Sequence, residues 1–188
     1  MIAPGVLATV AHVLYRNRGD MSSFQDSIRV MRVPDIGRQK QMEVATVVTI
    51  DAEYDIGVLR IETPRATNAV TFTNTLLLVG TAVGAVGFPL MSPEAVRTGL
   101  VWPLPRFQGG HVSANYSKKA PESGRQLIYH ETDVPMYTGS SGCPGFLATG
   151  EVFGLHVAEL HEGDRGSPGQ RAFSMWVPAS AIMSLGFQ

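Results

Sequence analysis

Three short segments of this chain carry residue types that can break an amide bond by relaying a proton. They are Ala8-Thr9-Val10-Ala11-His12-Val13, Asp55-Ile56-Gly57-Val58-Leu59-Arg60-Ile61 and Gly139-Ser140-Ser141-Gly142-Cys143-Pro144. A serine hydroxyl is a weak nucleophile until a base takes its proton. An imidazole base in turn needs a group that fixes its tautomer and stabilises its charged form. His12, Asp55 and Ser141 supply one residue of each kind.

The local settings suit these roles. Leu7 to Ala11 is small and apolar, the pattern of a buried strand end running into a tight turn, which would hold the His12 imidazole at a rim. There its Nε2 can accept the serine proton and return it to the leaving amine. The plain alternative is a core histidine with a satisfied hydrogen bond. Asp55 abuts the apolar run Ile56–Leu59, where an unpaired charge is costly, so it needs a partner such as a histidine Nδ1–H. It can equally be a strand-start aspartate bonded to nearby backbone. Asp51, before the turn-like stretch Ala52-Glu53-Tyr54, is a rival and is expected to be exposed.

Ser141 is the most specific of the three. Glycines on both sides of the Ser-Ser pair permit a sharp turn that exposes one side chain and aims backbone N–H groups at one point. The Gly139 and Ser141 N–H groups are the candidate oxyanion hole. Ser140 lacks a glycine on its C-terminal side and is the weaker nucleophile candidate. Cys143 is read as a small buried side chain, with a thiol nucleophile as the lesser alternative.

The elements that would position these residues are strands. Short β-branched runs alternate with Gly, Pro, Asn and Ser clusters, and no long 3.6-residue repeat occurs. Candidate strands are Val6–Thr9, Ser27–Val33, Glu43–Ile50, Ile56–Ile61 and Leu77–Gly87. A second set is Ala95–Val101, Leu127–Glu131, Gly145–Leu147, Val152–Val157 and Ala172–Val177. One helix is expected at Ala179–Leu185, opened by Pro178. Loops are expected at Arg16–Gln25, Pro34–Gln41, Pro64–Asn74, Pro103–Gly124 and His161–Gln170. Many short strands imply an all-β barrel or sandwich. A join at Phe88–Pro93 divides the chain into residues 1–90, carrying the histidine and aspartate, and 91–188, carrying the serine.

Bulk properties narrow the function. The chain has 188 residues, 44% hydrophobic and 16% charged, which fits a packed fold rather than disorder. A formal net charge of −1 offers no basic field for nucleic acid. The single cysteine excludes an intrachain disulfide, and an intracellular, cytoplasmic setting is the default expectation. No apolar run is long enough for a membrane span. Arg18-Gly19-Asp20 spells an adhesion tripeptide but reads better as a turn, and Asn115-Tyr116-Ser117 fits a glycosylation acceptor, which matters only in a secreted chain.

Taken together, the three segments resemble the trypsin-like serine proteases of the chymotrypsin fold. Leu7–His12 looks like the L-T-A-A-H block, Asp55–Arg60 like D-I-A-L-L, and Gly139–Pro144 like G-D/N-S-G-G-P. Disulfide-free HtrA/Deg-type peptidases are nearest. Their T-D-A-A-I-N-P-G-N-S segment is similar to Thr132–Ser141, and G-E-V-I-G-I is similar to Gly150–Leu155. Phe173–Pro178 resembles the closing strand before a terminal helix.

The resemblance implies two six-stranded antiparallel barrels. His12 and Asp55 would come from the first, and Ser141 and the specificity pocket from the second. It implies a protein or peptide substrate, added as a strand beside Gly154, Leu155, His156 and Val157, with Met136 and Leu155–Val157 lining the pocket. An apolar residue before the scissile bond is then expected. No metal or cofactor is called for. Ser140 stands where zymogens of the family have an aspartate, so activation by a freed N-terminus is not expected. Only eleven residues precede His12, so the first barrel is expected to lack an N-terminal strand, and no PDZ module follows the second. The leading reading is a serine endopeptidase; the alternative is a protease-fold binding module that does not assemble the site.

Overall fold

The computed structural model describes residues 2–17, 20, 23–32, 41–62, 69–88, 105–137, 139–161 and 172–186. Contacts divide the chain into two units, Met1–Val70 and Thr71–Gln188.

The first unit is a four-stranded antiparallel sheet of β1 (Val6–Val10), β2 (Ser27–Arg32), β3 (Gln41–Asp51) and β4 (Ile56–Ile61), in the order β1-β4-β3-β2. These are the expected strands, β4 at its expected limits and the others with ends shifted by at most two residues. β-Branched and apolar side chains drive them. Leu14, Ala45, Leu59 and Ile61 form the buried cluster, with Leu7, Phe24, Ile28 and Val30 packed against it. A bulge at Val48, where the pairing of β3 with β4 shifts register, increases the twist close to the hairpin that ends in Asp55. A 3-10 turn, Ala11–Leu14, continues β1 and carries His12. The resemblance implied a six-stranded first barrel. Among the described residues the unit is instead an open sheet of four strands.

The second unit is a closed six-stranded barrel. It contains β5 (Ala82–Gly87), β6 (Arg106–Lys119), β7 (Gln126–Thr132), β8 (Pro144–Leu147), β9 (Val152–His161) and β10 (Ala172–Pro178), in the order β10-β7-β6-β5-β8-β9. A short helix, α1 (Ala179–Met183), follows Pro178 as expected, although it stops two residues early. Val83, Ala85, Val112, Val134, Met136, Phe153 and Trp176 fill the core. Trp176 buries its ring 5.2 Å from Phe153, and its indole N–H donates to Thr132 Oγ1 at 2.8 Å, so the largest core side chain leaves no polar atom unmet.

Three expectations change here. β5 pairs with β6 and β8, so it belongs to the barrel, and the boundary lies at Val70/Thr71 rather than at residue 90. The strand expected over Leu77–Gly87 begins only at Ala82. Before it, Thr81 N–H closes a turn onto Leu78 O, with Gly80 at φ 87°. The loop expected over Pro103–Gly124 is largely β6. Its glycines mark close approach, not a chain break. A Cβ on Gly110 would lie 2.3 Å from Asp133 Oδ1 and 3.0 Å from the Val134 nitrogen. The expected strand Ala95–Val101, the loops Pro34–Gln41 (but for Gln41, which opens β3) and His161–Gln170 (but for His161) and most of the join Phe88–Pro93 lie outside the described residues.

Candidate active site

In the first unit the sequence-predicted pair is assembled. Asp55 closes the β3–β4 hairpin with φ 59°, the only described non-glycine residue in left-handed backbone. That conformation costs an L-residue about 1–2 kcal/mol, least for Asn and Asp. Three contacts offset it. The Asp55 carbonyl accepts from Ala11 N–H at 2.8 Å and its Oδ1 accepts from His12 N–H at 2.8 Å. Its Oδ2 takes the His12 Nδ1–H at 2.5 Å. One residue thus grips both the backbone and the ring of His12. A carboxylate only accepts, so the contact fixes the proton on Nδ1 and leaves Nε2 as the basic nitrogen. The side chains are 37% and 32% exposed, at a rim rather than in the core. Burial, and after it the Asp55 charge, push the Tyr15 phenol above its usual range.

Gly57 makes the seating possible. A Cβ there would come within 2.4 Å of Leu14 Cδ1, so the glycine lets the Leu14 side chain of the 3-10 turn lie against β4 in its present rotamer. Asp51 is not the exposed residue expected. It is half buried, and its Oδ1 accepts from the N–H groups of Glu53 and Tyr54, each at 3.1 Å.

In the second unit the loop before β8 separates the two serines. Ser140 is fully buried, and Ser141 is partly exposed. Gly139 and Gly142 take left-handed backbone, φ 95° and 82°. The loop is pinned from inside. Ser140 N–H donates to Tyr137 O at 2.9 Å, Cys143 N–H to Ser140 O at 3.0 Å, and Gly142 N–H to His156 O at 2.9 Å. The Gly139 and Ser141 N–H groups take no partner among the described residues. Thr138 lies outside the described residues. Cys143 is buried, with its sulfur in the space that a Gly87 side chain would need. Burial raises its thiol pKa, which disfavours the thiolate a cysteine nucleophile requires.

The predicted substrate-binding residues fare differently. Gly154 and Leu155 lie between β8 and β10, and a Cβ on Gly154 would strike Val177 O at 2.3 Å. Their backbones are therefore already committed to the sheet. His156 uses its carbonyl on Gly142 N–H and its N–H on Cys143 O, at 2.9 Å each. Its ring packs edge-on to Trp176 at 5.2 Å. Val157 sits where the pairing of β9 with β10 shifts register, and from there β9 has no partner strand on its other side among the described residues. Met136 is buried with Val134 and Trp176 in the barrel core. Sequence reasoning missed His130, 1% exposed on β7, whose Nδ1 meets Asn115 Oδ1 at 2.7 Å. No motif marked it. Among the described residues no three metal-ligating side chains gather.

The sequence model of the trypsin-like peptidase domain matches residues 1–155. No curated protein sequence matches the chain. Solved structures do. The Rv3671c protease from M. tuberculosis in its active form has a TM-score of 0.69 at 14% identity, covering 98% of this chain and 69% of that one. The MamO protease domain from Magnetospirillum magneticum, apo form, has a TM-score of 0.69 at 18% identity, covering 100% and 86%. Deg5 has a TM-score of 0.67 at 22% identity, covering 97% and 77%. At these identities the likeness is one of fold.

Proposed function

Because the chain belongs to the trypsin-like peptidase family, we propose that it is a serine endopeptidase whose triad is His12, Asp55 and Ser141. The observation that carries the reading is the Asp55–His12 contact through Nδ1, because it leaves Nε2 free to serve as base. The reading requires the two units to bring Ser141 Oγ to that nitrogen. Ser141 then attacks the scissile carbonyl while Nε2 takes its proton. The Gly139 and Ser141 N–H groups hold the tetrahedral oxyanion. The same nitrogen returns the proton to the leaving amine, and water, activated in turn, hydrolyses the acyl-enzyme.

The substrate edge proposed here starts later than Gly154. A peptide can add as a strand where β9 has no β neighbour on one side, and β8 pairs with β9 no further than Leu155, so we place the pairing on β9 from Val157 onward. A fluorophosphonate probe tests the whole reading. Labelling of the wild-type chain that vanishes in Ser141→Ala is the expected result. Labelling that survives Ser141→Ala but not Cys143→Ala would move the nucleophile to the thiol. A folded chain that takes no label would be a binding module on a protease fold.

A further inference from the structure

The hairpin that ends in Asp55 begins at a second carboxylate, Asp51, which accepts hydrogen bonds from the turn between them. Asp51 pairs with Ile56 in register, so only residues 52–55 return the chain from β3 to β4. Asp51 Oδ1 accepts from the N–H groups of Glu53 and Tyr54 at 3.1 Å each, the i+2 and i+3 pattern by which an aspartate caps a helical turn. A chain curled right-handed over Ala52–Tyr54 can rejoin an antiparallel strand only if its last residue reverses the curl. That residue is Asp55, at φ 59°. Left-handed backbone at Asp55 turns its carbonyl toward Ala11 N–H and its carboxylate toward His12.

We propose that Asp51 is a positioning residue for the His12–Asp55 pair: by capping the Glu53–Tyr54 turn it sets the left-handed Asp55 that aims both its carbonyl and its carboxylate at Ala11–His12. The inference rests on the reading of His12 as the base. Asparagine keeps the accepting Oδ1, serine offers a shorter acceptor, and alanine offers none. The expected order is therefore wild type, then Asp51→Asn close to it, then Asp51→Ser, then Asp51→Ala.

Two readouts on the full chain decide it. In saturation kinetics with a fluorophosphonate, Asp51→Ala should lower the maximal labelling rate by about tenfold or more, with half-saturation unchanged, since small misplacement of a base is costly. By NMR, the low-field His12 Nδ1–H resonance should move or broaden, and the His12 backbone N–H should exchange faster. Both signals should be restored in Asp51→Asn. If Asp51→Ala fails to fold, the gap between Asp51→Ser and Asp51→Asn decides. Equal loss in the Asn and Ala variants, or a wild-type His12 signature in the Ala variant, would overturn the proposal. The NMR signals lie wholly in the first unit. Should the wild-type chain take no label, the triad reading falls while these signals still judge Asp51.

Discussion

Two His–Asp pairs in this molecule share one wiring diagram and differ in everything that matters for catalysis. In each, the histidine backbone N–H donates to one carboxylate oxygen while the ring Nδ1 faces the other. At His12–Asp55 the ring contact is 2.5 Å; at His111–Asp133 it is 4.0 Å. The second pair is 61% and 52% exposed, where a charge contact is worth little. Asp133 is tied to the His111 backbone in both directions, its N–H on His111 O and its carboxylate on His111 N–H, so its work is to clamp two strand segments. Asp55 has its backbone turned left-handed and its carbonyl engaged elsewhere, which leaves the carboxylate aimed at the ring. The backbone that carries the aspartate therefore decides whether its carboxylate reaches the ring.

The sharpest way to break the comparison is to amidate both carboxylates. Asn tolerates left-handed backbone, and its Oδ1 can still accept from His12 N–H, so Asp55→Asn should fold. Its NH₂ would meet the ring, however, and force the proton onto Nε2. Fluorophosphonate labelling should then slow by about 10⁴-fold. Asp133→Asn should change the rate less than about threefold. A drop under tenfold in Asp55→Asn would reassign that carboxylate to structure.

A third histidine sets the opposite limit. His130 has an amide partner instead of a carboxylate, and burial lowers its pKa to about 4. The unfolded chain takes up this proton near pH 6.5, and the folded chain resists until about pH 4. Its contribution is thus intact above about pH 6.5 and lost as pH falls toward 4, on the order of 3 kcal/mol in total. Urea unfolding from pH 7.5 to 4.5 should show that decline, and His130→Gln should flatten it. An equal slope in the variant would place the acid sensitivity elsewhere.

What the sequence disclosed follows from how locally each feature is encoded. The β4 limits and the accessible Ser141 were legible because β-branched runs and a Gly-x-x-Gly frame act within a few residues; the full burial of Ser140 was not read. β6 was not legible. Its Gly109-Gly110 pair looks like a break, and only the fold shows that Phe107 lies across Gly84 and that Asp133 fills the space beside Gly110. Asp51 read as exposed because its acceptors' partners are backbone N–H groups, which leave no trace in residue types. The Gly154 and Leu155 backbones, expected beside a substrate, were not legible as sheet-bonded for a related reason. The motif locates β9, but strand register decides which of its backbone groups are already bonded.

The smallest expected effect separates the glycines beneath the two pairs. A methyl at Gly57 meets Leu14 Cδ1 at 2.4 Å, the end of a side chain that can change rotamer. A methyl at Gly110 meets the Asp133 carboxylate at 2.3 Å and the Val134 backbone nitrogen at 3.0 Å, and backbone yields far less. Overpacking typically costs about 1–3 kcal/mol, so Gly110→Ala should fall at the upper end and Gly57→Ala at the lower in urea unfolding. Labelling rates should rank the other way. Gly57 sets the approach of the His12 turn to β4, so its variant should lose rate beyond its loss of stability, while the Gly110 variant keeps its rate as long as it is folded. If the two variants ranked alike in both measurements, the proximity of Leu14 to β4 would have no part in holding the imidazole.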